Sequence, residues 1–149
     1  MFWRALLAFL ALPGVVAFLL PLWIARPYSH GFWLPGAVPL GLGVAGLLWC
    51  VRDFYVAGKG TLAPWAPPRE LVTVGLYRLS RNPMYLSVLL ILSGWALGFR
   101  SRPLWSYAGG VLVLFYLRVV VFEEPWLART HGEAWTRYRA AVPRWLLRF

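Results

Sequence analysis

Four apolar blocks, each long enough to cross a bilayer, take up most of this chain and leave little that could fold around a water-facing shell. They run from about Phe2 to Ala25, from about Leu34 to Val51, from Pro83 to Phe99 and from about Pro103 to Phe122. At about 1.5 Å per residue, blocks of roughly 17–24 residues match a ~30 Å hydrocarbon core, the third at the short end. Of the 149 residues, 60% are hydrophobic, against about 45–50% in soluble domains. A single core of this size could not hide that much apolar surface, so lipid is the expected solvent. The fold class expected is all-α: a polytopic membrane protein of about four transmembrane helices plus a C-terminal amphipathic cytoplasmic helix, in one domain over 1–149. Pro13 and Pro21 predict a kink or a short broken helix in the first block. A signal peptide is the competing reading of that block, because Arg4 precedes the apolar run. Its length, its prolines, the flanking Trp3 and Trp23 and the three spans that follow argue against it.

The net charge of +10 comes from fourteen Arg and one Lys against five acids. Nucleic-acid binding is disfavoured, since the basic residues sit at the ends of apolar blocks and not on one polar face. Counting by loop, eleven basic residues fall on one side: Arg4, then Arg52, Lys59, Arg69, Arg78 and Arg81, then Arg129, Arg137, Arg139, Arg144 and Arg148. The other side has Arg26, Arg100 and Arg102, and Arg118 lies within the fourth block. The positive side should be cytoplasmic. This puts both termini and the polar segments Arg52–Asn82 and Glu123–Phe149 on the cytoplasmic face of an inner or plasma membrane. The bilayer is the expected partner, with basic residues drawn to anionic headgroups and ten Trp and seven Tyr suited to interfacial belts. Cys50 is the only cysteine, and His30 and His131 are the only histidines. Neither a disulfide framework nor a metal site is expected.

The loop with Gly58, Gly60, Pro64, Pro67 and Pro68 reads as ordered turns. The tail from Glu124 to Ala141 reads as an amphipathic helix interrupted by Gly132, with Trp126, Leu127, Trp135 and Tyr138 as apolar contacts. Residues 41–46, GLGVAG, match a dinucleotide-binding fingerprint. They lie inside an apolar span with no strand before them, so close helix packing is the better reading.

Three features could carry chemistry. Residues 75–85 read GLYRLSRNPMY: Asn82 suits an N-cap and Pro83 a first helical position, so a helix should start here. Free backbone N–H groups at that start, with Arg78 and Arg81 just before it, suit a carboxylate or phosphate. Tyr77 and Tyr85 could equally be interfacial aromatics. Glu123 and Glu124 end a long apolar run, as a solvated helix end or as a pair for a cationic or hydroxyl-bearing ligand. Arg118, five residues earlier, either snorkels to the headgroups or receives an anionic substrate group.

In this order the features resemble the isoprenylcysteine carboxyl methyltransferase and phospholipid methyltransferase superfamily, over about Arg52 to Trp145. The matching residues are Arg81, Asn82, Pro83 and Tyr85, then Glu123, Glu124 and Leu127, then His131, Gly132, Trp135 and Tyr138. Asn82 stands where the eukaryotic prenylcysteine enzymes have His, while His131 and Trp135 stand where Phe and Tyr are common. The resemblance implies S-adenosylmethionine as methyl donor, held by cytoplasmic loops. Tyr77, Arg81, Asn82, Pro83 and Tyr85 would line one side of it, and Glu123, Glu124 and Leu127 the other. Arg118 and Glu123 are the expected catalytic residues, acting on a lipophilic acceptor. Carboxyl O-methylation is the first reading of the activity. Phospholipid N-methylation and a non-catalytic lipid-binding protein are the alternatives, and a channel is disfavoured because only Arg118 puts a charge inside a span.

Overall fold

The computed structural model describes residues 10–27, 31–58 and 70–146, and among these it is helical with no strand. A π-helical stretch Leu10–Leu19 runs into α1 (Leu20–Ala25), followed by α2 (Ala37–Val56), α3 (Pro83–Gly98), α4 (Arg102–Leu117) and α5 (Glu124–Ala141). Short 3₁₀ turns lie at Leu34–Gly36 and Gly75–Arg78, and a second π stretch, Arg118–Glu123, joins α4 to α5. The expected residues Trp3, Arg4, His30, Lys59, Gly60, Pro64, Pro67, Pro68, Arg69 and Arg148 lie outside the described residues.

Among the described residues, two helices are long and apolar enough to cross a membrane, Leu34–Val56 and Arg102–Ala141, while Pro13–Ala25 and Pro83–Gly98 are shorter apolar helices. Large apolar side chains such as Leu42, Val38, Leu114 and Phe122 stand more than half exposed. An outward apolar surface of this kind belongs in lipid.

The third apolar block forms the central helix. Buried Val88, Ile91 and Leu92 of α3 pack with Leu47 of α2, Ala108 and Val111 of α4 and Ala17 of the first helix. The α2–α3 contact is close because glycines line it. A Cβ on Gly43 would sit 2.6 Å from the Ser87 carbonyl, and one on Gly94 2.6 Å from Leu40 N. Gly43 and Gly46 of the GLGVAG run thus serve helix packing, as in other membrane bundles.

The first helix is not broken at Pro13 or Pro21: its π stretch runs straight on into α1. Without an N–H, Pro21 leaves the carbonyls four and five residues back without their intrahelical donor. Those carbonyls are used from outside: Trp95 Nε1 donates to Ala17 O at 2.9 Å, and Tyr107 OH donates to Val16 O at 2.9 Å. The first helix is therefore tied by side chains of both α3 and α4.

Two boundaries differ from expectation. The second helix does not stop at Val51 but continues to Val56, carrying Arg52 and the buried Asp53 with it. Nothing between Val51 and Val56 breaks a helix, and burial outweighs the charges. Likewise the fourth block runs without a stop into the tail, in a helical run of 40 residues bent at Gly132. Its later half lies beyond the roughly 20 residues that one span needs. Gly132, at φ 49° and ψ −119°, kinks that half as its sequence foretells.

Trp95→Phe removes the donor to Ala17 O and should lower stability by roughly 1–2 kcal/mol, read as a drop in the thermal unfolding midpoint in detergent.

Candidate functional site

The start of α3 and the α4–α5 junction meet at one end of the bundle. Pro83 is the first residue of α3, and Asn82 holds the N-cap position. The Asn82 side chain makes no capping bond, contrary to expectation. Its amide instead donates to the carbonyl of Arg144 at 2.9 Å, while Ser80 Oγ accepts from Asn82 N at 3.1 Å. A more distant carbonyl has won the side chain from the local cap.

Arg118 and Glu123 lie five residues apart, about 140° around a regular α-helix. The π stretch Arg118–Glu123 widens the turn so that residues i and i+5 share a face. Arg118 Nε then donates to Glu123 Oε1 at 2.8 Å and to Tyr85 OH at 3.1 Å. Tyr85 in turn donates its hydroxyl proton to Glu123 Oε1 in a very short contact, and its ring lies 4.4 Å from that of Phe115. Three expected site residues from two helices thus form one cluster.

A second cluster adjoins it. Glu124 Oε1 accepts from Arg81 Nη1 and from Arg144 Nε, and Oε2 accepts from Arg144 Nη2, all at 2.8 Å. Arg81 lies over the Trp135 ring at 5.4 Å, and its Nε is buried with no hydrogen-bond partner. Burial pushes the Arg81 pKa down, with Glu124 opposing. Burial also pushes the Glu124 carboxyl up, but the Arg144 hydrogen bond and the Arg81 and Arg144 charges outweigh it and hold the carboxyl below its ordinary range. Two guanidiniums on one carboxylate leave this cluster positive overall.

The remaining expected residues are placed differently. Tyr77 is buried with Cys50 and Val72 against α2, its ring 5.5 Å from Phe54, so its side chain packs away from both clusters. Burial raises its phenol well above the ordinary value. Only its carbonyl reaches the tail, accepting from Tyr138 OH at 2.7 Å. Leu127 packs against the buried Trp135, Tyr138 and Val142. Trp126, expected as an apolar contact, is exposed. Arg78, expected to help bind an anion, is exposed on the 3₁₀ turn. Gly75 begins that turn at φ +57°, and a Cβ there would lie 2.1 Å from Asp53 Oδ2. A side chain at position 75 is therefore excluded twice over.

Next to these clusters, α3 and α4 flank an open apolar groove of about 420 Å³ whose α4 side chains are half exposed. Leu86 and Leu89 line it from α3, Leu112, Val113 and Leu117 from α4, and Trp145 from the chain after α5. Tyr116 also lines it from α4, and Leu86 and Leu117 are sequence neighbours of Tyr85 and Arg118.

A family model described as phospholipid methyltransferase matches residues 35–134. The chain belongs to the phospholipid methyltransferase family. No curated protein and no solved structure matches it. Membership makes it a membrane methyltransferase of the wider superfamily that includes the isoprenylcysteine enzymes. The match takes in both helices long enough to span a membrane at least in part, and every expected site residue from Tyr77 to Leu127.

Arg144, Ser80 and Trp145 were not singled out from the sequence of this family member. The one local signal is Val-Pro-Arg after the last helix, which marks a helix stop but not where the arginine goes.

The depressed Glu124 pKa has a pH consequence. The ion pairs contribute stability fully above the unfolded Glu value of about 4.3, and that contribution is lost as pH falls through the lower folded value. Between pH 7 and pH 3 (about four units) the melting temperature of the wild type should fall more steeply than that of Glu124→Gln, which lacks the titrating group.

Proposed function

We propose that this protein transfers a methyl group from S-adenosylmethionine to an acceptor carried on a lipid or other long hydrocarbon, at the cytoplasmic face of the membrane. The observation that carries the reading is the meeting of the Tyr85–Arg118–Glu123 and Arg81–Glu124–Arg144 clusters beside an apolar groove, in a member of a methyltransferase family.

The residues fit the donor. Arg81 has a buried, unpartnered Nε within a cluster of positive net charge, which suits a carboxylate. Glu123, partly exposed beside Tyr85 and Arg118, suits an ammonium or a ribose hydroxyl. Pro83, Asn82 and Leu127 complete the walls. When bound, the donor supplies an electrophilic methyl group on a sulfonium. The protein's part is positioning. Arg81 and Arg144 fix the anionic end, Glu124 holds both guanidiniums, and Tyr85 and Arg118 orient the Glu123 carboxylate. The acceptor's hydrocarbon lies in the groove between α3 and α4, so its reactive group arrives at Tyr85 and Arg118 sideways from the bilayer.

Carboxyl O-methylation, as in the isoprenylcysteine enzymes, needs no base, because a carboxylate is already nucleophilic. Arg118 would hold it. Phospholipid N-methylation is the second reading, favoured by the description of the matching family and by Glu123, which could take a proton from an ammonium acceptor. The four-span arrangement with both termini cytoplasmic belongs to the same proposal. Its support is the gathering of Arg78, Arg81, Arg129, Arg137, Arg139 and Arg144 toward the polar end.

The test is incubation of the purified protein with methyl-labelled donor and total membrane lipid. A labelled lipid is expected; label released by mild alkali marks an ester, and stable label marks an amine. Glu123→Ala should abolish S-adenosylhomocysteine binding, and Arg118→Ala should lower turnover by at least about tenfold. No labelled lipid from wild type, or wild-type turnover in both variants, would overturn the reading.

A further inference from the structure

The chain after α5 touches both the Arg81–Glu124 cluster and the apolar space between α3 and α4, and it does so with consecutive residues. The Pro143 carbonyl accepts from Arg81 N at 2.9 Å. The Arg144 carbonyl accepts from Ser80 Oγ at 3.2 Å and from Asn82 Nδ2 at 2.9 Å. The Arg144 guanidinium grips both oxygens of Glu124. The next side chain, Trp145, lines the apolar groove between α3 and α4. Its groove neighbours Leu86 and Leu89 lie within the first two turns of the helix whose entry Arg144 secures.

From this we infer that residues 143–145 form a strap serving as a common wall of the donor and acceptor pockets. Arg144 is a positioning residue for the donor side, and Trp145 sets how much hydrocarbon the acceptor side admits. The inference rests on the methyltransferase reading above.

The physical case for Arg144 is geometric. A planar fork binding two carboxylate oxygens fixes direction as well as charge, which lysine cannot reproduce. With the fork in place, Glu124 can present Arg81 at only one angle. The backbone carbonyl of the same residue holds the Asn82 amide. Loss of the fork therefore frees the expected donor-side residue Arg81, while the Asn82 amide keeps the backbone carbonyl that any residue at 144 supplies. The case for Trp145 is that it is a large, rigid side chain on a groove with almost no polar lining. Truncating it extends the space available to a chain without altering any polar group.

The experiment uses the full-length protein in nanodiscs, with S-adenosylhomocysteine as the donor-site probe. Labelled S-adenosylmethionine with total membrane lipid is the acceptor probe. Arg144→Gln should weaken S-adenosylhomocysteine binding by about tenfold or more, with Arg144→Lys intermediate. Trp145→Ala should leave that affinity unchanged, raise KM for added lipid with little effect on kcat, and shift the labelled products toward longer or bulkier chains by mass spectrometry. A merely structural role would lower the active fraction in all three variants without moving donor affinity, KM or the chain-length distribution. Should Arg144→Gln unfold, Arg144→Lys at an unchanged melting temperature carries the test. Wild type that neither binds the probe nor labels lipid overturns the methyltransferase reading. Wild type that does both, with the variants binding and labelling like it, overturns the strap alone.

Discussion

One carboxylate holds the functional end together. Glu124 accepts from Arg81, just before α3, and from Arg144, beyond α5, while itself standing at the first position of α5. Three stretches of chain far apart in sequence thus converge on two oxygen atoms. Carboxylate and guanidiniums are largely withdrawn from water, where desolvation is costly and each group needs the others. If Glu124 is removed, two guanidiniums face each other without a counter-ion.

The apolar bundle supplies the frame for this junction. Glycines let α2 and α3 approach until side chains touch backbone, and Pro21 frees carbonyls that Trp95 and Tyr107 take up. Both devices use close packing and side-chain hydrogen bonds where the hydrophobic effect between helices is absent. The result fixes α3 against α4, and hence Tyr85 against Arg118. The π stretch does the last part locally, turning Arg118 and Glu123 onto one face.

Much of the frame was legible in the sequence because it depends on local rules. Block lengths marked the helices, Asn-Pro marked the start at Pro83 and Gly132 marked the kink, while the prolines of the first block did not break its helix. Arg118 and Glu123 were each legible as candidate site residues, but a spacing of five gave no reason for contact between them until the π turn was known. Arg144 was invisible, since its partners Glu124 and Asn82 lie 20 and 62 residues away. Asn82 followed no local capping rule for the same reason. Tyr77 looked like a site residue from the motif, yet its ring packs with Cys50 and Val72 because an aromatic beside an apolar helix is buried first. Family resemblance located the polar end, and only long-range contacts showed which of its residues meet.

The central claim is that a single nucleoside-sized pocket is shared between the entry of α3 and the α4–α5 junction. Photolabelling with a photoreactive S-adenosylhomocysteine analogue, with modified peptides mapped by mass spectrometry, tests it most directly. A shared pocket requires label, competed by S-adenosylmethionine, in both the segment around Arg81–Tyr85 and the segment around Arg118–Leu127. Competed label confined to one of these segments, or falling on neither, would contradict it.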